Sequence, residues 1–190
     1  LNQINIGFAL TGSYCTFAEV IPQVERLAEE GYNLFPIMSG NAYQTDTRFG
    51  KAKDFVHTLE EICGKPVAST LVEVEPIGPK KLLDLLVIAP CTGNTLAKLA
   101  TGITDSSVTL AAKAHLRNGR PVLIAVSTND ALSNGAKNIG GLLNYKNIYF
   151  VPMAQDDSGN KPTSIVADFQ KIPDSVNKAL MNNQPQPILY

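Results

Sequence analysis

Four short segments of this 190-residue chain carry the residue types that hold a phosphate: Thr11-Gly12-Ser13, Ser39-Gly40-Asn41, Cys91-Thr92-Gly93-Asn94-Thr95 and Ser127-Thr128-Asn129. Each is rich in hydroxyls, amides and glycine and carries no charge. Small hydroxyl residues beside a helix N-terminus donate to phosphate oxygens together with exposed backbone N–H groups. Taken singly, each segment reads equally well as an N-cap or a turn. Taken together they point to one ligand, because an open α/β sheet binds beyond the carboxyl ends of its strands. The stretch Gly7-Phe8-Ala9-Leu10-Thr11-Gly12-Ser13 has two glycines at P-loop spacing, but Ser13 stands where the lysine for the outer phosphates belongs. No GxGxxG fingerprint occurs, and the second strand ends in Ser39 rather than in an acid that could hold a ribose. A mononucleotide with a single phosphate remains, and FMN is the common one.

The elements that must position these segments are apolar runs alternating with helical patterns. Residues 4–10 read as a first strand. Phe17, Val20, Ile21, Val24, Leu27 and Ala28 then form a helical stripe with Pro22 inside it and Gly31 as its terminator. Residues 34–38 predict a second strand, followed by a polar stretch to Gly50, and 51–63 a helix. Short extended pieces are expected over 66–83, around Pro66, Pro76 and Pro79. Residues 84–90 are the clearest buried strand. The pattern then predicts helix over 94–118 with a break near Gly102, strand over 121–126, helix over 130–145, a last strand over 147–151 and a terminal helix over 173–183. The tail 184–187 reads as extended and packed on a neighbouring subunit. Strands separated by helices imply right-handed βαβ units. The expected fold is a three-layer α/β/α parallel sheet, flavodoxin-like or Rossmann-like, in one domain over 1–190.

Composition narrows the function classes. Sixteen basic against seventeen acidic residues give a net charge of −1, without the concentrated positive face that nucleic acid needs. Charged residues make up 17%, below the usual soluble average of about 25%, which suits a sheet covered on both faces. No apolar run approaches the roughly 20 residues of a membrane span. The opening residues show no basic n-region, so a cytoplasmic location is expected. Cys15, Cys63 and Cys91 are odd in number and scattered, which predicts reduced thiols. His57 and His115 have no partner at ligand spacing, so no metal site is expected, and both read as helix-surface residues. Asp156-Asp157 reads as part of an ordinary turn.

Residues 84–105, running Asp84-Leu85-Leu86-Val87-Ile88-Ala89-Pro90-Cys91-Thr92-Gly93-Asn94-Thr95-Leu96-Ala97-Lys98 to Asp105, resemble the signature of a flavoprotein family. That family includes phosphopantothenoylcysteine decarboxylase, the lantibiotic cysteine decarboxylases and the UbiX-type prenyltransferases. Thr11-Gly12-Ser13 is similar to its first phosphate-side loop. Over nearly its full length the chain resembles one branch, the B chains of the dipicolinate synthases of spore-forming bacteria. The stretches 47–50, 75–80, 127–132 and 155–157 look like that branch and not like the decarboxylases. Two departures from the decarboxylases stand out. Their catalytic His before the third strand is replaced here by Glu75-Pro76-Ile77-Gly78, and their Pro-x-Met-Asn motif by Val126-Ser127-Thr128-Asn129.

The resemblance implies FMN held by Thr11, Gly12, Ser13, Ser39, Pro90, Cys91, Thr92, Gly93, Thr95, Ser127 and Thr128, with Asn94 between flavin and substrate. Lys98 shares a helix face with Asn94 at i+4. Arg48, in a polar loop, has the fork geometry to clamp a substrate carboxylate. The implied activity is oxidation of a dihydro- or hydroxytetrahydro-dipicolinate to pyridine-2,6-dicarboxylate in the mother cell during sporulation. A companion A chain supplies NADP, and the B chains form a homo-oligomer. Two other readings stay open: a non-catalytic partner that stabilises the A chain, and a flavin-dependent decarboxylase of another acid.

Overall fold

In the computed structural model, which describes residues 3–190, the first apolar run forms β1 (Asn5–Leu10), buried beyond Asn5. The helical stripe becomes α1 (Phe17–Glu29), with Phe17, Val20, Val24 and Leu27 turned inward and Pro22 on the solvent side. Gly31 ends the turn at φ +90°, in the left-handed region that a side chain disfavours, and its N–H donates to the Ala28 carbonyl at 3.0 Å. Next come β2 (Asn33–Met38), the short α2 (Gly40–Gln44), α3 (Ala52–Cys63) and α4 (Leu71–Val74). The second half holds β3 (Leu85–Cys91), α5 (Gly93–Thr101), α6 (Ser107–Leu116), β4 (Val122–Thr128), α7 (Ala136–Leu143), β5 (Ile148–Phe150), β6 (Met153–Ala154), β7 (Ile165–Ala167) and α8 (Ile172–Leu180).

The sheet order is β2-β1-β3-β4-β7-β6, and β5 also pairs with β4. The pairs β1–β2, β1–β3, β3–β4 and β4–β5 are parallel. β3 is central and every one of its residues is buried, so it needs apolar side chains on both faces. From β1 the chain winds outward to β2 and then returns to the other side as β3. That reversal opens a crevice beyond the carboxyl ends of β1 and β3. No helix among the described residues is long and apolar enough to cross a membrane.

Several expectations need correction. The sheet is not wholly parallel, because β7 runs antiparallel to β4 and to β6. Strands of two and three residues carry no readable period. Residues 66–83 are not mainly extended: they hold α4 and a 3₁₀ turn over Glu75–Ile77. Thr70 caps α4 in a reciprocal box with Glu73, which outweighs the prolines around it. The helix expected from 130 starts at Ala136, because residues 130–135 fold as turns closed by the Gly135 N–H on the Asp130 carbonyl at 2.9 Å. The tail packs on its own chain. The Gln184 amide accepts from the Phe150 N–H at 2.9 Å and donates to the Phe150 carbonyl at 2.7 Å, and the Met153 N–H donates to the Ile188 carbonyl.

His115 is also not where its sequence placed it. His57 is exposed on α3 beside Glu61, but His115, on α6, is buried, its Nε2 2.9 Å from the Pro121 carbonyl. A carbonyl only accepts, so Nε2 carries the hydrogen between them. Burial pushes its pKa down from 6.5 to about 4, with the Arg120 charge adding to the effect against the Pro121 bond. The unfolded chain therefore takes up a proton that the folded chain refuses as pH falls from 6.5 towards 4. Stability is complete above pH 6.5 and is lost across that window, by on the order of 3 kcal/mol. Denaturant titrations at pH 7 and pH 4.5 should show this loss, and His115→Gln should flatten most of it.

Candidate functional site

The crevice is held together by one hydroxyl. Thr11, directly after β1, donates from Oγ1 to the Pro90 carbonyl at 2.7 Å and accepts the Thr92 N–H at 3.0 Å. Its own N–H also donates to the Pro90 carbonyl, at 3.2 Å. The ends of β1 and β3 are thereby locked in register. The other two segments tie to the same point. Ser13 Oγ lies 2.7 Å from Ser127 Oγ at the end of β4, and the Ser39 N–H donates to the Leu10 carbonyl at 3.0 Å. All four hydroxyl-rich segments are thus joined at one end of the sheet.

On one side of Gly12 lies a cleft of about 480 Å³. Four helices begin at its wall, each capped by a hydroxyl: Ser39 for α2, Thr70 for α4, Thr92 for α5 and Ser106 for α6. At α4 the Glu73 carboxylate already takes the Ser69 and Thr70 amides and the Thr70 hydroxyl, so the donors left to the cleft are the first amides of α2, α5 and α6. α5 and α6 are long enough to add a dipole, worth about 0.3–1 kcal/mol each towards an anion. The only charged residues in this lining are Lys98 and Asp105, and they pair with each other at 2.7 Å. The hydrogen bond from Lys98 holds the Asp105 carboxyl below its ordinary range. With these charges spent on each other, the pull on an anion comes from hydroxyls and amides.

On the other side lies a second cleft of about 710 Å³, and Gly12, Tyr14 and Thr92 line both. Its walls carry Ser13, Phe49, Ser127, Thr128 and Asn129, with Glu19, Asp130 and Asp156 against a single cation, Lys161. Lys161 Nζ stands 3.3 Å from Asp156 Oδ2, and the Thr128 hydroxyl donates to Asp130 Oδ1 at 2.6 Å. The two clefts differ in charge: the first is balanced and rich in donors, the second acidic.

The expected site residues fall into three groups. Ser39, Asn94, Thr95 and Lys98 line the first cleft, Ser13, Ser127 and Thr128 the second, and Gly12 and Thr92 both. Asn94 is exposed at the second position of α5, its side chain without a hydrogen bond among the described residues, because the cap is Thr92. Thr11 touches the first cleft but is buried, its hydroxyl committed to the clamp. Pro90 and Cys91 do not reach either cleft: both are buried in β3, and burial pushes the Cys91 thiol far up, away from thiolate. Gly93 sits behind the first cleft. A Cβ there meets Thr128 Oγ1 at 2.6 Å and Asp130 Oδ1 at 2.7 Å, so glycine lets β4 close on α5. Gly12 is different, since its nearest Cβ contact is the Tyr14 ring at 3.5 Å. A side chain there fits the fold and takes up cleft space. Arg48 lines neither cleft; its guanidinium stacks 4.8 Å over the ring of Phe49, which borders the second. Residues not anticipated include Tyr14, whose hydroxyl donates to the Asn41 carbonyl at 2.8 Å, and the caps Thr70 and Ser106. Thr70-x-x-Glu73 and Ser106-x-x-Thr109 are readable as helix starts, but nothing local aims them at this cleft.

A sequence model of the family described as Flavoprotein matches residues 1–180. The B subunit of dipicolinate synthase from Bacillus subtilis (strain 168) is 48% identical over 184 residues, covering 97% of this chain and 92% of its own. Among solved structures, the dipicolinate synthase B subunit from Bacillus halodurans C superposes with a TM-score of 0.91 at 44% identity, over 100% of this chain and 98% of its own. The FMN-dependent cysteine decarboxylase SpaF shares the fold, with a TM-score of 0.66 at 22% identity over 94% and 96% of the two chains. With a family match over nearly its whole length, and that same family's sheet beneath its clefts, the chain belongs to the Flavoprotein family.

Proposed function

We propose that this chain is the B subunit of a dipicolinate synthase and holds an FMN-type mononucleotide at the crevice beyond β1 and β3. The observation that carries the reading is the uncharged donor set of the first cleft. Hydroxyls and amides from the starts of α2, α5 and α6 converge where no lysine or arginine of the lining is free to do the same work. That set suits one phosphate better than a triphosphate, which needs a cation for its outer groups. The residues fit the group. Gly12, Ser39, Thr92 and the first amides of α5 would hold the phosphate side, and Ser13, Ser127 and Thr128 lie across the Gly12 ridge. Flavin supplies a hydride acceptor beside a ring that is about to become aromatic. Asn94 would stand between cofactor and substrate with an uncommitted amide, Lys98 would support that face of α5, and Arg48, stacked on Phe49 at the rim of the second cleft, would reach a substrate carboxylate.

The relatives named as dipicolinate synthase B subunits support dipicolinate synthesis as the setting, and the reading adds the step itself, a small ring dicarboxylate oxidised to pyridine-2,6-dicarboxylate during sporulation. One mononucleotide site cannot also seat NADP, because hydride transfer needs both partners near contact. NADP therefore belongs to a companion A chain, working with a homo-oligomer of B chains in the cytoplasm of the mother cell. Decarboxylation by a histidine is the weaker reading. His57 lies outside both clefts on α3 and His115 is buried on α6.

Gly12→Val should leave thermal unfolding within a few degrees of wild type and abolish retention of flavin, read as the visible absorbance of the purified protein. Unchanged flavin affinity refutes the placement. The purified chain with precursor and NADP should make no dipicolinate, and addition of the A chain should restore synthesis. NADPH formation by the isolated chain sinks that division of labour. Asn94→Ala then separates a catalytic from a stabilising role. A catalytic pocket loses activity with assembly intact, and a purely structural partner tolerates the change.

A further inference from the structure

Three of the four stretches that set this chain apart from the decarboxylases meet at the second cleft. Phe49 comes from 47–50, Asn129 and Asp130 from 127–132, and Asp156 from 155–157. They lie on three separate loops, and only the fold assembles them. The fourth stretch, 75–80, lines a different groove against α6.

Among the acids of that cleft, Asp130 is the one the structure fixes. The Thr128 hydroxyl donates to its Oδ1 at 2.6 Å, and its backbone carbonyl accepts the N–H groups of Ser133 at 3.0 Å and Gly135 at 2.9 Å. Its Oδ1 is 2.7 Å from the point where a Cβ would stand on Gly93, so the carboxylate is lodged against the start of α5. Oδ2 has no hydrogen-bond partner among the described residues. Asp156, by contrast, is engaged by Lys161, and Glu19 is an exposed residue of α1. A carboxylate with one oxygen anchored and the other free in a cleft is the geometry of a proton acceptor. The balance of charges agrees. Three carboxylates face one lysine there, so the unpartnered Asp130 oxygen suits a donor such as a ring N–H, while Lys161, 3.3 Å from Asp156, is the one cation in the lining for a ligand carboxylate.

We propose that Asp130 accepts the ring N–H proton when the substrate becomes aromatic, an assignment that rests on the oxidation proposed above. In the N–H tautomer of a dihydropyridine dicarboxylate, one ring C–H bond breaks and its electron pair leaves as hydride to an oxidised flavin or nicotinamide. The hydride loss lets the nitrogen π electrons join the aromatic sextet, and the N–H bond breaks with its own pair kept on nitrogen as the in-plane lone pair. The proton passes to Asp130 Oδ2 and from there to water.

Asp130→Asn keeps the shape and the Thr128 bond while removing the base. In the mixture with the A chain, its turnover should fall by about 100-fold or more, with flavin retention and thermal unfolding unchanged. A fall of less than about tenfold overturns the proposal. A binding measurement on the isolated chain makes the test independent of turnover. Piperidine-2,6-dicarboxylate carries ring N–H groups at neutral pH, and pyridine-2,6-dicarboxylate has none. By calorimetry, Asp130→Asn should weaken the piperidine acid by about tenfold and leave the pyridine acid nearly unchanged. Equal effects on both acids, or no effect on either, overturn the assignment. Failure of the wild-type mixture to make dipicolinate is a separate result: it refutes the oxidation, and the calorimetry still decides what Asp130 recognises.

Discussion

The site depends on the Thr11 clamp. Two neighbouring parallel strands, β1 and β3, end at the point where the chain reverses its winding, and their following segments diverge towards different helices. Divergence is what opens a crevice there, and it leaves the first backbone groups beyond each strand without ladder partners. Thr11 satisfies them from a single side chain, donating to Pro90 and accepting from Thr92. Serine could make the same bonds, but the threonine methyl restricts χ1 and keeps the hydroxyl aimed across the gap. Because Thr92 caps α5, the clamp also sets where the first amides of that helix stand.

Electrostatics follow from that placement. The first cleft gathers donors without gathering cations, and its one lysine is neutralised by Asp105. Such a site attracts an anion through fixed dipoles that need no reorganisation when it arrives. It is also unselective for long-range steering, since a net charge of −1 spread over the chain offers no field to draw in polyanions. The second cleft has the opposite character. Gly93 lets Thr128 and Asp130 approach α5, and a carboxylate therefore stands against the start of the helix that supplies the donor-rich wall. A ridge at Gly12 separates a place for negative charge from a place for a proton donor.

The edge of the sheet shows how the second cleft is closed. β4 is shared along its length, by β5 over Val122–Ile124 and by β7 over Ser127–Thr128. The antiparallel β6–β7 pair turns the chain back so that the loop carrying Asp156 and Lys161 hangs over Ser127. Gln184 then binds both backbone groups of Phe150 and ties the C-terminal segment to the flank of β5. These elements are short, yet they add Phe150, Met153 and Ile165 to the core and decide which side chains face the second cleft.

Much of this was legible in the residues themselves. The buried strand, read over 84–90 and found over Leu85–Cys91, the helices around it and the hydroxyl-rich ends of the strands follow from periodicity and turn chemistry, which act over a few neighbouring residues. The absence of a P-loop lysine and of a ribose-binding acid is equally local, and it argues against the two commonest nucleotide-binding loops. What only the tertiary structure decided involves residues far apart in the chain. Pro90 and Cys91 sit inside a signature that suggests contact with cofactor, yet both are buried in β3, because alternation along a strand gives no hint of where the strand stops. His115 lies on a helix whose outer face is not solvent, so a residue that reads as surface is buried and neutral. Asp130 and Gly93 are 37 positions apart, and no local pattern links a carboxylate in one turn to a missing side chain in another. Short-range propensity fixes elements; which polar groups share a cleft is set by how those elements pack, and that information is not local.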